Sequence, residues 1–406
     1  GSAAFLNEAV NQLAEAYLER KQRETGETIP HDAYLAERQK VKMYLADNNV
    51  FGVDLNPVAT ELAEISLWLN TIFEGNYVPW FGLQLVTGNS LIGARRDVFG
   101  STLLPKKGKG EVSWLDSVPE RIAWEAEARP SRSVYHFLLP DTGMANYQDK
   151  VIKGLVPDAI SGINAWRKEF CKPFTKADIA LLERLSAAVD RLWNEHATQL
   201  ARIREETSDQ LPAWGQGKGD GGIRQSELSL KDRILEQEIL SRNVRNSSPY
   251  RRLKLAMDYW CALWFWPINR HDDLPTRDEY LLELQYILEG QPMPEYSADE
   301  EDGQTLLFPE TAPRQIQLDL ASKLGFVNVD RLCAEFHRLQ LVREITDRVR
   351  FLHWELEFAD LFRDHGGFDL VLGNPPWVKV EWNEGGVLSD DQPLFDIKNL
   401  SASRIA

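Results

Sequence analysis

The chain has 406 residues, with 62 Asp and Glu against 46 Lys and Arg, which gives a formal net charge of −16. A composition of 43% hydrophobic and 27% charged residues excludes a disordered chain and a membrane-resident one, and the length predicts two or three domains. Taken alone, the negative charge argues against nucleic acid as a partner, because phosphate binding usually requires a basic surface. The 3 cysteines form no CxxC pair, which argues against a disulfide framework and predicts a cytoplasmic protein.

The first hundred residues predict alternating helices and strands. Apolar residues at three- and four-residue spacing predict an amphipathic helix over residues 5–23. A short apolar run then predicts a strand that ends at Asp54, followed by Asn56 as the N-cap of a helix over residues 58–73. Residues 83–86 predict a further strand. This alternation predicts an α/β sheet that binds its ligands at the carboxyl ends of the strands.

The middle of the chain predicts a different kind of structure. The pattern is mostly helical from residue 151 to residue 288, and a long helix is predicted over residues 329–361. The expected division is a first part of an α/β core over 1–98, a mostly helical insertion over 99–350, and a second part of the core over 351–406.

A rigid turn follows the last predicted strand, which covers residues 368–373. There the chain continues as Asn374-Pro375-Pro376-Trp377, and proline restricts both its own φ and the residue before it. The turn would present two acceptors, the Asn374 amide oxygen and the Pro375 carbonyl, beside the Trp377 ring. Such acceptors would make the exocyclic amine of a base more nucleophilic, and the ring could stack on a flipped base. The alternative is a strand-ending turn with a buried tryptophan.

Two further features are consistent with a nucleotide-like ligand. Asp54 closes a strand, as an acidic residue does where it accepts hydrogen bonds from ribose hydroxyls. With Asn56 and Pro57 after it, the same residue equally fits a helix-capping turn. Residues 1–3, Gly-Ser-Ala, precede the first helix, where backbone can approach a cofactor closely. Gly-Ser at this position is equally typical of a cloning remnant.

Four segments carry these features in a specific order. They are residues 1–6 (GSAAFL), 52–57 (GVDLNP), 87–93 (TGNSLIG) and 373–377 (GNPPW). In this order they resemble motifs I to IV of the amino-methylating DNA methyltransferases. The chain is most similar to the large N6-adenine methyltransferases of restriction and phage-defence systems, including the BREX and DISARM types. Residues 353–358 (HWELEF) resemble the segment that precedes motif IV in those enzymes.

This resemblance implies a Rossmann-like fold that uses S-adenosyl-L-methionine to methylate N6 of a flipped adenine in double-stranded DNA. It also implies a restriction-modification or antiviral defence system with possible protein partners, and no membrane. The loop at Gly1 would hold the methionine part of the cofactor, Asp54 its ribose, and Asn89 its adenine. The implied catalytic residues are Asn374, Pro375, Pro376 and Trp377, and the implied cofactor residues are Gly1, Ser2, Ala3, Phe5, Asp54, Leu55, Asn56, Asn89 and Leu91, with no metal.

The chain departs from the family pattern at two positions. Ala3 stands where a second glycine is common, and Asn89 stands where motif III often has Asp. The family's first loop usually begins earlier, with Asp-Pro, so we expect a piece of a longer protein that extends before Gly1 and beyond Ala406. A DNA-reading domain is expected downstream. The negative charge would then describe only part of the enzyme, and the region after Ala406 should be basic.

Other functions remain open at this stage. A protein-glutamine or RNA amino-methyltransferase could use the same Asn-Pro-Pro turn, and a catalytically silent DNA-binding scaffold of a defence complex is a further class. A cytosine-C5 methyltransferase is disfavoured because its cysteine nucleophile typically follows proline, whereas these cysteines follow Phe, Trp and Leu. Basic clusters at residues 106–109 and 251–254 could contact DNA, although charge runs are usually solvated faces.

Overall fold

The structure is a computed structural model, and it describes residues 3–73, 79–105, 108, 112–123, 126, 128–208, 211, 213–215, 231, 233, 248–290 and 329–374. The described helices are α1 Ala4–Thr25, α2 His31–Asn48, α3 Pro57–Thr71, α4 Lys150–Leu155, α5 Pro157–Phe170, α6 Lys176–Thr207, α7 Pro249–Ala262, α8 Arg277–Leu288, α9 Val329–Glu335, α10 His337–Val349, α11 Trp354–Glu357 and α12 Ala359–His365. The described strands are β1 Gly52–Asp54, β2 Leu85–Thr87, β3 Asp97–Gly100, β4 Glu120–Arg121 and β5 Ser133–Tyr135. Short 3-10 helices cover Ser101–Leu103, Trp114–Asp116, His136–Leu138 and Ile268–Asp273.

The predicted elements of the first hundred residues are confirmed. Helix α1, strand β1, helix α3 and strand β2 form in the expected order, and β1 pairs with β2 in parallel. Asn56 is the N-cap of α3, and Pro57 is its first residue, where the missing amide hydrogen costs nothing. The hydrophobic core of this part joins α1, α2, α3 and β2 through small and branched side chains such as Val10, Ala63 and Leu85. Helix α2, which the sequence analysis did not predict, packs against α1 and α3.

The middle of the chain forms a larger hydrophobic core. Helices α4 to α8 confirm the predicted helical pattern between residues 150 and 288. The main core joins α5, α6, α7, α8 and α10, and Trp266 and Phe170 are among its largest buried side chains. A three-stranded antiparallel sheet with the order β4-β3-β5 lies against α6, and no sequence pattern had indicated it.

The long helix predicted over residues 329–361 is wrong. The chain forms four shorter helices there, and Phe336 separates α9 from α10. At Arg350 the backbone turns into the left-handed region, with φ 59° and ψ 56°, which ends α10. The next residue, Phe351, instead forms a parallel bridge with Asn89. Pairing with the strand region therefore outweighs the local helical preference of this segment.

The strand predicted over residues 368–373 does not form among the described residues. The Phe368 ring packs edge-on against Phe51 and Phe358, with centroid distances of 5.5 and 5.3 Å. Beyond it, the apolar side chains of Leu370, Val371 and Leu372 are 62%, 72% and 50% exposed. A strand requires a neighbour to satisfy its backbone hydrogen bonds, and no described strand lies beside this segment.

The mixed α/β class predicted from the sequence is confirmed by these helices and short sheets. The complete Rossmann-like sheet and the division at residues 98 and 350 stay predictions; strand β3 itself runs across residue 98. None of the described helices is long and apolar enough to cross a membrane.

Candidate active site

The carboxyl ends of β1 and β2 lie side by side. In the parallel register Asp54 is opposite Thr87, and the Gly88 amide donates to the Asp54 carbonyl at 2.9 Å. Two loops therefore leave the same sheet edge: the β1 loop, residues 55–56, and the β2 loop, residues 88–96. This edge is where parallel α/β sheets bind their ligands.

The Asp54 carboxylate is partly buried and takes part in a capping turn. Its Oδ1 accepts a hydrogen bond from the Asn56 amide at 2.8 Å. The Asn56 side chain accepts in turn from the Val58 amide at 3.0 Å, which caps α3. The helix-capping interpretation is confirmed. Because a carboxylate has about four acceptor positions, the capping bond does not prevent hydrogen bonds from ribose hydroxyls. The ribose contact stays a prediction.

The Asn89 side chain shapes the β2 loop from within. Its Oδ1 accepts from the Leu91 amide at 3.1 Å, which is the hydrogen bond of an Asx turn. The Asn89 amide donates to the Arg350 carbonyl at 2.6 Å, so the loop is also fixed from outside. An aspartate would make the same turn, and asparagine here retains that geometry without the charge. Leu91 is 84% exposed, and Leu55 in the β1 loop is 52% exposed.

Residues 350–357, which we name the connector, bind the β2 loop along its length. The Leu352 amide donates to the Ile92 carbonyl at 2.9 Å, and the Trp354 indole donates to the Ser90 carbonyl at 2.9 Å. The Glu355 carboxylate accepts from the backbone amide of Arg96. The HWELEF segment, identified only through its resemblance to the family, thus holds the loop that carries Asn89.

Gly93 is required where the β2 loop meets the connector. A Cβ at this position would lie 1.9 Å from the Leu352 carbonyl oxygen and 3.2 Å from Nδ1 of His353. The first distance is far below van der Waals contact with a backbone atom. Only glycine allows the two backbones to approach this closely.

A buried charged cluster links the connector to helix α7. His353 Nδ1 accepts from the Ala94 amide at 2.9 Å, and its Nε2 lies 3.0 Å from Oδ1 of Asp258. Since a backbone amide can only donate, Nδ1 must be unprotonated, so Nε2 carries the hydrogen and donates it to Asp258. The Asp258 carboxylate also bonds Lys254 Nζ at 2.9 and 3.0 Å. Tyr250 donates its hydroxyl to Glu357 at 2.8 Å.

Burial controls the protonation states of this cluster. Desolvation lowers the pKa of His353 below its usual value, although the Asp258 hydrogen bond acts in the opposite direction. Desolvation opposes ionisation of Asp258, but Lys254 and His353 together hold the pKa of this carboxyl below its usual value. Desolvation raises the pKa of Glu357, and the bond from Tyr250 only partly offsets it. The cluster therefore contains a neutral imidazole between the β2 loop and an ionised Lys254–Asp258 pair.

Arg350 contacts both loops. Its guanidinium Nη1 donates to the Leu55 carbonyl in the β1 loop, and its carbonyl accepts from Asn89 in the β2 loop. Sequence reasoning missed this residue, as it missed Asp258 and Lys254. No local signal identifies them, because the contacts join parts of the chain that lie far apart, with 295 positions between Leu55 and Arg350.

Of the other predicted site residues, the structure describes Ala3, Phe5 and Asn374. Ala3 is 4% exposed and left-handed, with φ 60° and ψ 20°, a conformation that favours the glycine common at this position in the family. Phe5 is 53% exposed. Asn374 is exposed and is the last residue described. Gly1, Ser2, Pro375, Pro376 and Trp377 lie outside the described residues.

The basic residues at the start of α7 form hydrogen bonds and ion pairs within the protein. The Arg252 guanidinium is 1% exposed and donates to the Ile287 and Leu288 carbonyls, which satisfies the end of α8. Arg251 pairs with Asp330 at 2.9 Å, and Lys254 pairs with Asp258. Lysines 106, 107 and 109 lie outside the described residues. Among the residues that the structure describes, no group of three or more His, Cys, Asp or Glu side chains is arranged to hold a metal ion.

Comparison with known proteins identifies one family. The model of the Eco57I restriction-modification methylases matches residues 48–399, which is most of the chain. The match includes Asp54, Asn89, the connector and residues 374–377, and it begins after α1. Neither the comparison with curated proteins nor that with solved structures found a match.

Proposed function

Because the chain belongs to the Eco57I restriction-modification methylase family, we propose that it acts as a site-specific DNA adenine-N6 methyltransferase. It takes the methyl group from S-adenosyl-L-methionine and transfers it to an adenine flipped out of double-stranded DNA. The family match over residues 48–399 carries the proposal, because the matched residues include both strand-end loops and the Asn-Pro-Pro-Trp turn. A cytoplasmic role in antiviral defence, with protein partners of the same system, is part of this proposal.

The strand-end loops have the chemistry that this cofactor requires. Asp54 supplies a carboxylate for the ribose hydroxyls at a sheet edge. Exposed Leu55 and Leu91 lie on the two neighbouring loops and supply apolar surface for the adenine ring, with Asn89 at the base of the β2 loop. Ala3, at the start of α1, belongs to the part that holds the methionine moiety. The bound cofactor supplies a methyl group on a positively charged sulfur.

The reaction requires orientation of the target amine. The exocyclic nitrogen of adenine is a poor nucleophile, because its lone pair is delocalised into the ring. The Asn374 amide oxygen and the Pro375 carbonyl would accept hydrogen bonds from its two N–H groups and direct the lone pair toward the methyl group. Pro376 makes the turn rigid, and Trp377 stacks on the flipped base. The transfer would be direct and in line: the C–N bond would form as the C–S bond breaks, the cofactor would leave as its neutral thioether, and the methylated amine would release one proton to solvent. Positioning would supply most of the rate.

The proposal includes a Rossmann-like sheet. Strands β1 and β2 would be two of its parallel strands. The substrate amine would lie at the sheet edge where their carboxyl ends meet.

The substrate class is tested by supplying labelled S-adenosyl-L-methionine to the complete protein with duplex DNA, RNA or protein. We expect label in DNA only, recovered as N6-methyladenine. A duplex that already carries N6-methyladenine at its adenines is the matched control and should accept none. Label in RNA or in protein glutamine would replace the proposal with the corresponding amino-methyltransferase. Absence of cofactor binding by calorimetry would favour the silent DNA-binding scaffold.

A further inference from the structure

Arg350 joins the two loops of the proposed cofactor site, although it belongs to none of the four motifs. Its guanidinium donates to the Leu55 carbonyl, and its own carbonyl accepts from the Asn89 amide at 2.6 Å. Leu55 directly follows Asp54, and Asn89 lies two positions after the end of β2. One residue therefore holds the backbone of both loops at the sheet edge.

The backbone conformation of Arg350 makes this double contact possible. Its φ of 59° lies in the left-handed region, which is unfavourable for a non-glycine residue. Its amide still donates to the Thr346 carbonyl at 2.6 Å, which completes α10, while the next residue bridges to Asn89. Glycine would adopt this turn at lower cost. The requirement for arginine therefore comes from its side chain.

The guanidinium is suited to holding a carbonyl in place. It presents its N–H donors in a fixed planar geometry. The β1 loop is short, and the Asp54–Asn56 turn restrains it from within. Without Arg350 the loop would be fixed to β1 and α3 but no longer to the connector, and it would become more mobile before the cofactor arrives.

We infer that Arg350 is a positioning residue that pre-orders the β1 and β2 loops for cofactor binding. The inference rests on the proposed function, because it assigns the loops to S-adenosyl-L-methionine. Because both loops are already ordered before binding, less conformational entropy is lost when the cofactor binds, and the affinity is higher. Arg350 does not contact the reacting atoms.

The test compares Arg350→Ala, Arg350→Lys and Arg350→Gly in the complete protein. Calorimetry with S-adenosyl-L-methionine should show the Kd raised about tenfold or more by Arg350→Ala, a change of about 1.4 kcal/mol. Arg350→Lys, which retains one charged donor, should recover part of the affinity. Arg350→Gly relieves the backbone strain but should lose as much affinity as Arg350→Ala. In kinetics the KM for the cofactor should rise, while kcat at saturating cofactor and the KM for DNA stay unchanged.

Hydrogen exchange on the cofactor-free protein supplies a second readout. Amides of residues 55, 56 and 58 and of residues 88–92 should exchange faster in Arg350→Ala than in wild type. Arg348→Ala is the matched control, since Arg348 is exposed on the same helix end and donates to the Phe265 carbonyl at 3.5 Å, away from both loops. It should change neither exchange nor affinity.

The outcomes distinguish failure of the Arg350 inference from failure of the proposed function. A wild-type protein that binds the cofactor, with Arg350→Ala binding equally well or exchanging at the wild-type rate, overturns the inference alone. Wild-type affinity in Arg350→Gly also overturns it, because only the backbone would then matter. A wild-type protein that does not bind S-adenosyl-L-methionine overturns the proposed function and this inference together.

Discussion

His353 and Asp258 form a buried hydrogen bond of 3.0 Å between the connector and helix α7. The other ring nitrogen of His353 accepts from the Ala94 amide, so one imidazole joins the β2 loop to the helical part of the chain. His353 therefore connects the predicted insertion to the loop that carries Asn89. A change in α7 can reach the proposed cofactor site through two hydrogen bonds.

Asp258→Asn should destabilise the protein by about 2 to 3 kcal/mol, the usual cost of losing a hydrogen bond to a charged group. The asparagine oxygen can still accept from His353, but Lys254 loses its counter-charge in a mostly buried position. Denaturant unfolding measures the change. Asp364→Asn is the matched control, because Asp364 pairs with Arg363 at an exposed site, and such pairs contribute about 1 kcal/mol or less. Equal effects of the two substitutions would contradict the assigned role of the cluster.

His353→Gln should make the stability less dependent on pH. The folded-state pKa of His353 is below its unfolded value, so the unfolded chain binds this proton first as the pH falls. The neutral histidine therefore contributes stability above the unfolded pKa of about 6.5, and that contribution is lost below it. Between pH 7 and pH 5 the wild type should lose up to about 1.4 kcal/mol per pH unit more than His353→Gln. Chemical denaturation at several pH values gives both slopes, and parallel slopes would refute a neutral imidazole.

Gly93→Ala should destabilise the protein by about 1 to 3 kcal/mol, the usual cost of overpacking. The new methyl group would meet the Leu352 carbonyl at 1.9 Å, so the β2 loop and the connector would have to separate. Gly154→Ala is a control that should change the stability in the opposite direction. Gly154 lies in α4 with nothing near its missing Cβ, and alanine there should stabilise by about 0.5 to 1 kcal/mol. Thermal unfolding distinguishes the two, and a stable Gly93→Ala protein would mean that the two backbones are not in close contact.

Asp54→Asn should weaken S-adenosyl-L-methionine binding by about tenfold or more with little change in stability. The amide oxygen can still accept from the Asn56 backbone and preserve the turn, but it accepts hydrogen bonds from ribose hydroxyls less strongly than a carboxylate. Asn56→Ala should mainly affect stability. Loss of the helix cap should destabilise the protein by about 1 kcal/mol, while the affinity for the cofactor should fall less than in Asp54→Asn. Calorimetry and unfolding on both variants separate the roles. Full affinity in Asp54→Asn would leave Asp54 as a capping residue only.

Local patterns predicted the parts of the fold whose causes are local. The Asp54–Asn56–Pro57 turn, helix α1 and the helices between residues 150 and 288 follow from capping residues and apolar spacing. The break at Arg350 was not predictable, because it depends on pairing between Phe351 and Asn89. The three-stranded sheet was not predicted because its strands are 4, 2 and 3 residues long, which is too short to show a period-two pattern.

Some residues of the candidate site could be predicted from the sequence, and others could be identified only from contacts in the folded chain. Motif resemblance identified Asp54 and Asn89, and the structure brings their loops to one sheet edge. Asn374 is exposed and is the last described residue, and residues 375–377 lie outside the described part of the chain. The residues that hold the loops, Arg350 and Asp258, act through contacts that only the folded chain creates.

The central claim is that Asn374 orients the adenine amine, and mass spectrometry of methylated duplex DNA tests it most directly. The complete wild-type protein should produce N6-methyladenine with S-adenosyl-L-methionine. Asn374→Ala should lower the rate by at least about a hundredfold, comparable to losing one polar group that stabilises a transition state. Its affinity for the cofactor should remain near the wild-type value. Methylation retained in Asn374→Ala, or methyl groups found on cytosine, would contradict the account.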